Sequence, residues 1–212
     1  MRPTVSLDFE AEFASAWADP RHTRFELPDM DVNQVLDERY RTGRPLVFTR
    51  EMLWDVEVRK AADPGVYIPF VVQAGSGRAW GRHRAPGGGE HLVRSSRQRL
   101  WLRPDEYAII LERAYLNHRE QRVTFLGALE LEDTDGSVVH ADTAQPLFHV
   151  EHSVGGAESR PLNRWRIVHL TERVDDRILA RFSEMAGQPW LPEFIEIYIR
   201  RDLGMELARR EP

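Results

Sequence analysis

The chain has 212 residues, of which 42% are hydrophobic, and a formal net charge of -5. This composition suits one folded domain with a substantial core, and the negative charge argues against general affinity for nucleic acid or anionic membranes. The sequence contains no cysteine, which excludes disulfides, thiolate nucleophiles and cysteine-bound zinc. It also lacks a long apolar run or a signal-like N-terminus, so we expect a cytoplasmic protein without a membrane span.

Local sequence signals predict three groups of helices separated by strands. Asp31 and Thr49 are suited to cap helices that follow a polar arm, and Pro104 stands at the first turn of a third helical pattern. The Asp133–Gly136 turn joins two of the later strands. The predicted elements are an irregular arm (1–30), or a short helix within it around residues 9–17, helices (31–41, 49–62), a strand (66–74), a Gly/Arg-rich loop that is a lid or disordered (75–90), a strand (91–102), a helix (103–121), four strands (122–132, 138–142, 147–154, 164–171) and a helical appendage (173–212, with 193–200 either helix or strand).

These elements predict a single α+β domain over residues 1–212. Its centre would be a curled antiparallel sheet of about six strands, shaped as a cone or half-barrel and packed with helices. The order of elements resembles the cone fold of ketosteroid-isomerase-like enzymes and many polyketide cyclases, although no motif is shared. The resemblance implies a pocket between the sheet and the helices, open to a small-molecule substrate.

The run from Val138 to Val154 concentrates three histidines and two carboxylates. If residues 143–146 connect two paired strands, His140 lies opposite His149, and both share a face with Asp142 and Glu151. The same register places His152 on the opposite face, where we expect a structural histidine. The predicted catalytic residues, in an apolar pocket suited to shifted pKa values, are His140, Asp142, His149 and Glu151. The predicted substrate-binding residues are Arg94, Trp101, Phe125 and Arg166.

Several interpretations of this cluster stay open. A second strand pairing would place His169 beside His149, so that His140, His149 and His169 could bind a divalent metal. Without a metal, the histidines and carboxylates would transfer protons in an isomerase, cyclase or dehydratase reaction. The histidines could also be hydrogen-bonded residues of a sheet that performs no chemistry, in a ligand-binding or oligomeric protein. In that case residues 192–210 would form the surface of a homodimer.

One further feature of the composition concerns the cationic residues. Lys60 is the only lysine among 29 lysine and arginine residues. We interpret this bias as GC-rich bacterial coding.

Overall fold

The computed structural model describes residues 7–85 and 88–210. The helices are α1 (Phe9–Ala18), α2 (Val32–Arg39), α3 (Arg50–Ala62), α4 (Pro64–Tyr67), α5 (Asp176–Ala186) and α6 (Glu193–Ile197), which continues as a π-helical turn (Tyr198–Asp202). The strands are β1 (Thr23–Glu26), β2 (Met30–Asp31), β3 (Tyr40–Thr42), β4 (Arg78–Arg84), β5 (Glu90–Leu100), β6 (Arg103–Asn117), β7 (Arg122–Ala128), β8 (Glu130–Glu132), β9 (Val138–His140), β10 (Phe148–Ala157), β11 (Arg160–His169) and β12 (Leu207–Arg209).

The predicted α+β class is confirmed, with a larger sheet than expected. Eight strands form one antiparallel sheet in the order β1-β11-β10-β7-β6-β5-β4, with β2 paired to β11. Two small sheets, β3 with β12 and β8 with β9, lie beside it. No helix in the described ranges is long and apolar enough to cross a membrane.

Both faces of the large sheet are covered by other elements. We call the face that packs against α3 and α5 the inner face; Phe125, Val150 and Ile167 belong to it. The outer face lies beneath α1 and the β8–β9 hairpin and includes Leu126 and Val168. A sheet that is buried on both sides carries apolar residues at consecutive positions instead of alternate ones.

The helices predicted from capping residues are confirmed. Asp31 accepts a hydrogen bond from the backbone N–H of Gln34 at 3.1 Å, and Thr49 accepts one from Met52 at 3.1 Å. Each cap satisfies an N–H group that the first helical turn leaves free. Residues 31–41 and 49–62 therefore fold locally much as their sequence indicates, as α2 and α3.

The helix predicted over residues 103–121 is wrong, because residues 103–117 form the 15-residue strand β6 and a turn follows. Ile110 faces inward and Leu111 packs on the outer face with Ala128 and Leu131. Since both faces are buried, the apolar residues of β6 fall at spacings that imitate a helix.

Three other predicted segments also differ from the structure. The predicted arm does contain a helix, α1, near residues 9–17, but Phe13 of this helix is buried in the core and β1 pairs with β11. Residues 66–74 form the end of α4 and turns instead of a strand, with one isolated bridge at Val72. The predicted loop 75–90 contains β4, and its residues 86–87 lie outside the described part of the chain.

The C-terminal segment is more than a helical appendage. Residues 193–202 are helical, and Phe194, Ile195 and Ile199 are buried in the core that also contains α2 and α3. Strand β12 then pairs with β3. These apolar side chains are covered within the chain itself, and the homodimer stays a prediction.

Candidate active site

The predicted pairing of residues 138–142 with 147–154 is wrong. Strand β9 pairs with β8 and places His140 opposite Glu130, in a sheet separate from β10. The hairpin is closed by a turn in which Gly136 adopts a φ of 83°, a conformation that glycine accepts without strain. His149 instead lies between Leu126 on β7 and Val168 on β11. The tight turn at residues 133–136 thus pairs residues 138–140 with β8.

His140 and Asp142 consequently lie away from the other predicted catalytic residues. The His140 side chain is 71% exposed and lies 4.0 Å from Glu130. Asp142 accepts a hydrogen bond at 2.7 Å from the backbone N–H of Ile109. Asp142 therefore holds the segment after β9 against β6, which is a structural contact.

Glu151, His149 and Arg166 belong to the outer face, beneath α1. Arg166 donates to Glu151 at 2.6 Å, and its guanidinium stacks over the rings of Phe13 and Trp17, with 5.2 Å to each ring centroid. His149 accepts a hydrogen bond from the backbone N–H of Gly127 at 3.1 Å, and burial lowers its pKa. The stacking of Arg166 on Phe13 and Trp17 fastens α1 to the sheet.

The predicted metal ligands do not come together. His169 lies opposite Phe148, one position away from the predicted register, so His149 and His169 point to opposite faces of the sheet. His140 lies on the separate β8–β9 hairpin. Across residues 7–85 and 88–210 no group of three metal-ligating side chains is assembled, and the predicted set does not fit a metal ion.

The inner face instead carries a buried ionisable group that the sequence prediction missed. The ammonium of Lys60 on α3 lies 2.6 Å from a carboxylate oxygen of Glu57, one helical turn earlier, and 3.1 Å from Nδ1 of His152 on β10. The Lys60 and Glu57 side chains are 3% and 1% exposed, and that of His152 is 13% exposed. The ammonium also stands 3.6 Å from the centroid of the Phe194 ring. We call Glu57, Lys60 and His152 the lysine cluster.

A second buried ion pair supports this cluster from the sheet. Arg94 donates to Glu112 on the neighbouring strand at 2.7 Å and to the backbone oxygen of Lys60 at 3.2 Å. Its guanidinium lies 4.0 Å from the centroid of the Phe125 ring. Gln98 also donates to Glu112, at 3.3 Å. The cation of Arg94 is thereby fixed next to α3.

Burial and mutual charge set the protonation of the lysine cluster. Burial lowers the pKa of Lys60, Glu57 opposes that effect, and the pKa settles at about 8. Burial, followed by the nearby ammonium, lowers the pKa of His152 to about 4. Burial would raise the pKa of Glu57, but Lys60 and His152 outweigh it and hold this pKa at about 2. At neutral pH the cluster contains an ammonium, a carboxylate and an uncharged imidazole.

Three of the four residues predicted to bind substrate lie on the inner side of the sheet. Arg94 contacts Lys60 and Phe125, whereas Trp101 is farther from the cluster and packs at 4.7 Å from Phe182 of α5. Arg166 is the exception, since it lies on the outer face. His152, predicted to be structural, belongs to the lysine cluster.

A signal for the lysine cluster was present in the sequence. The buried stripe of α3 runs through Leu53 and Val56 and continues onto Glu57 and Lys60. Ionisable residues three apart on the apolar face of a helix are near neighbours in space, and such burial is unusual without a partner. The partner His152 could be found only with the correct strand register.

Comparisons with known proteins give remote structural likenesses. The Zhui aromatase/cyclase from Streptomyces sp. R1128 matches with a TM-score of 0.48 and 9% identity, over 84% of this chain and 95% of that chain. A major latex-like protein from Panax ginseng matches with a TM-score of 0.31 and 14% identity, over 78% of this chain and 93% of that chain. No family model and no curated protein matches the sequence. Any functional conclusion therefore rests on this chain's own side chains.

Proposed function

We propose that this protein binds a small molecule at the inner face and transfers a proton to or from it through Lys60. The observation that carries the proposal is the convergence of Lys60, Glu57 and His152 in a nearly solvent-free interior. Buried charges are costly, and an apolar core of the same shape is often as stable or more stable. Ionisable clusters of this kind are enriched at functional sites.

The protonation states give each member of the cluster a role. An amine with a pKa of about 8 exchanges a proton readily near neutral pH, because its acid and base forms differ little in free energy. The carboxylate of Glu57 stabilises the ammonium form of Lys60, and the uncharged His152 accepts a hydrogen bond from that ammonium. Loss of the Lys60 proton to a bound molecule would leave a neutral amine beside Glu57, ready to take a proton back.

The surroundings of the cluster favour a hydrophobic or aromatic ligand. Phe194 lies against the ammonium, and the rings of Phe125 and Trp165 stand 6.1 and 6.2 Å from that of His152. Small-molecule sites typically combine such walls with a few convergent polar groups. We therefore propose an isomerase-, cyclase- or dehydratase-type reaction, in which an enolisable proton is moved on a carbonyl compound.

The test is exchange of carbon-bound protons in D2O. A panel of cyclic and aryl ketones is incubated with the protein, and loss of the α-proton signals is followed by 1H NMR. Wild type is expected to accelerate exchange for at least one ketone, and Lys60→Met to reduce that rate by about 100-fold or more, as is typical for loss of a general acid or base. His140→Ala, on the exposed hairpin, is the matched control and should exchange at the wild-type rate.

A second variant separates catalysis from folding. Glu57 raises the pKa of Lys60, so Glu57→Gln should move the pH profile of exchange to lower pH while the far-UV circular dichroism stays unchanged. The proposal fails if Lys60→Met exchanges protons as fast as wild type, or if no ketone of the panel is exchanged by wild type.

Non-catalytic ligand binding is the second candidate. It is favoured by Trp101 and His169, which offer buried hydrogen-bonding atoms on the inner side of the sheet but no charge.

A further inference from the structure

A second polar group lies on the inner side of the sheet, at the end of β11. It consists of Trp101, Gln145 and His169, which we call the neutral trio. Within the described ranges, the indole N–H of Trp101, the amide nitrogen of Gln145 and both ring nitrogens of His169 are buried and have no hydrogen-bond partner. His169 is fully buried, with 0% exposure. Buried polar atoms are nearly always hydrogen-bonded in native proteins, so these atoms call for a partner from outside the chain.

The members of the trio are close neighbours in an aromatic environment. The ring centroids of Trp101 and His169 are 6.3 Å apart, and Gln145 accepts a hydrogen bond from the backbone N–H of Trp101 at 3.2 Å. The rings of Phe148 and Phe182 stand 5.3 and 5.6 Å from that of His169. Trp101 and Gln145 are half-buried. Both therefore keep part of their surface in contact with solvent.

The chemistry of the trio favours an uncharged oxygen. Burial lowers the pKa of His169 to about 3, so its imidazole stays neutral and provides one donor and one acceptor. Trp101 and Gln145 add N–H donors. None of the three side chains carries a charge that could compensate a buried anion. A hydroxyl group can accept from the N–H of Trp101 or Gln145 and donate to the unprotonated nitrogen of His169.

We infer that the neutral trio is a binding subsite for a hydroxyl group carried by an aromatic ligand. Four residues along β10 separate His152 from Phe148, the strand neighbour of His169, which corresponds to about 13 Å. An elongated aromatic molecule with its hydroxyl on the trio would therefore point its opposite end towards Lys60. This last step, unlike the subsite itself, rests on the proposed function.

The test uses 2-naphthol as the probe and naphthalene as its analogue without the hydroxyl. Protein labelled with 15N-tryptophan is titrated with each, and the indole resonance of Trp101 is assigned by its loss in Trp101→Phe. We expect 2-naphthol, but not naphthalene, to shift that resonance downfield. Calorimetry should show 2-naphthol binding about tenfold more tightly, the gain expected from one well-formed hydrogen bond in a buried site.

Variants identify the groups responsible. Trp101→Phe removes the indole N–H and keeps an aromatic ring, so it should weaken 2-naphthol binding about tenfold and leave naphthalene binding unchanged. His169→Phe should act in the same direction. Trp190→Phe is the matched control, because Trp190 packs against Tyr40 and Arg209 in another part of the molecule, and it should bind both probes like wild type.

Three results would overturn the subsite. These are equal affinity for the two probes, no binding of either probe, or an unshifted Trp101 indole resonance with ordered water alone on the trio. The variant Lys60→Met separates a failure of the hydroxyl subsite from a failure of the proposed proton transfer. It should lose proton exchange and still bind 2-naphthol through Trp101, so either proposal can fail while the other stands.

Discussion

Replacing Lys60 with methionine removes the ammonium of the lysine cluster and keeps most of the side chain's volume. Glu57, 1% exposed, would then face only the uncharged His152, whose Nδ1 is 3.6 Å from it. An unpaired buried carboxylate is strongly destabilising. The folded variant can relieve this cost by protonating Glu57, because burial keeps His152 uncharged.

The size of the effect follows from the cost of that proton. Protonating a carboxyl group with the ordinary pKa of 4.5 at pH 7 spans 2.5 pH units, at about 1.36 kcal/mol per unit. The variant should therefore lose about 3 kcal/mol of unfolding free energy at pH 7. Because the folded variant binds a proton that the unfolded chain lacks, its stability relative to wild type recovers as the pH falls. At pH 5 the loss should be below about 1 kcal/mol.

Urea unfolding at pH 5, 6 and 7 measures this difference. The wild-type cluster has pKa values of about 2, 4 and 8, so it changes little in protonation over this range. The double variant Glu57→Gln with Lys60→Met has no buried carboxylate and should show a loss that does not depend on pH. A loss under about 1 kcal/mol at pH 7, or one that is equal at pH 5 and pH 7, would refute the electrostatic reasoning.

Three further predictions concern other parts of the structure. The pKa of His169 is lowered from 6.5 to about 3, so wild type should lose stability as the pH falls from 6.5 towards 3, since the unfolded chain binds the proton first. In denaturant titrations, His169→Phe should reduce the loss of unfolding free energy between pH 7 and pH 4 by about 3 kcal/mol. An unchanged loss would contradict the lowered pKa. Arg166→Ala should release α1 and speed amide exchange over residues 9–18 about tenfold by mass spectrometry, whereas Arg164→Ala, which breaks an exposed pair with Asp29, should not; equal exchange in both variants would count against the anchoring role. His140→Ala should change unfolding free energy by less than about 0.5 kcal/mol, and a larger loss in thermal unfolding would show a contact that the exposed side chain lacks.

Parts of the fold that depend on local chemistry were predictable. Asp31 and Thr49 cap α2 and α3 through hydrogen bonds to residues three positions later, which the sequence shows directly. Strand β6 was not predictable in this way. Ile110 packs on the inner face of the sheet and Leu111 on the outer face. Two adjacent apolar residues are explained only by the burial of both faces.

The sequence did not predict the candidate site correctly, because the pairing of each strand depends on the whole sheet. His140 has two possible neighbours by local pattern, β8 and β10, and the Asp133–Gly136 turn selects β8. The observed pairing of β10 with β11 differs by one residue from the predicted pairing. His169 therefore lies on the face opposite His149. Lys60 was visible as the chain's only lysine, but its burial depends on α3 packing against the sheet.

The measurement that tests the lysine cluster most directly is an NMR titration of Lys60 itself. Because the chain has a single lysine, growth with 13C,15N-lysine gives one set of side-chain signals, and the Cε shift against pH reports its pKa. We predict a pKa of about 8 in wild type and a lower one in Glu57→Gln. A pKa at or above the ordinary value of 10.5, unaffected by Glu57→Gln, would contradict a buried, proton-exchanging amine on the inner face.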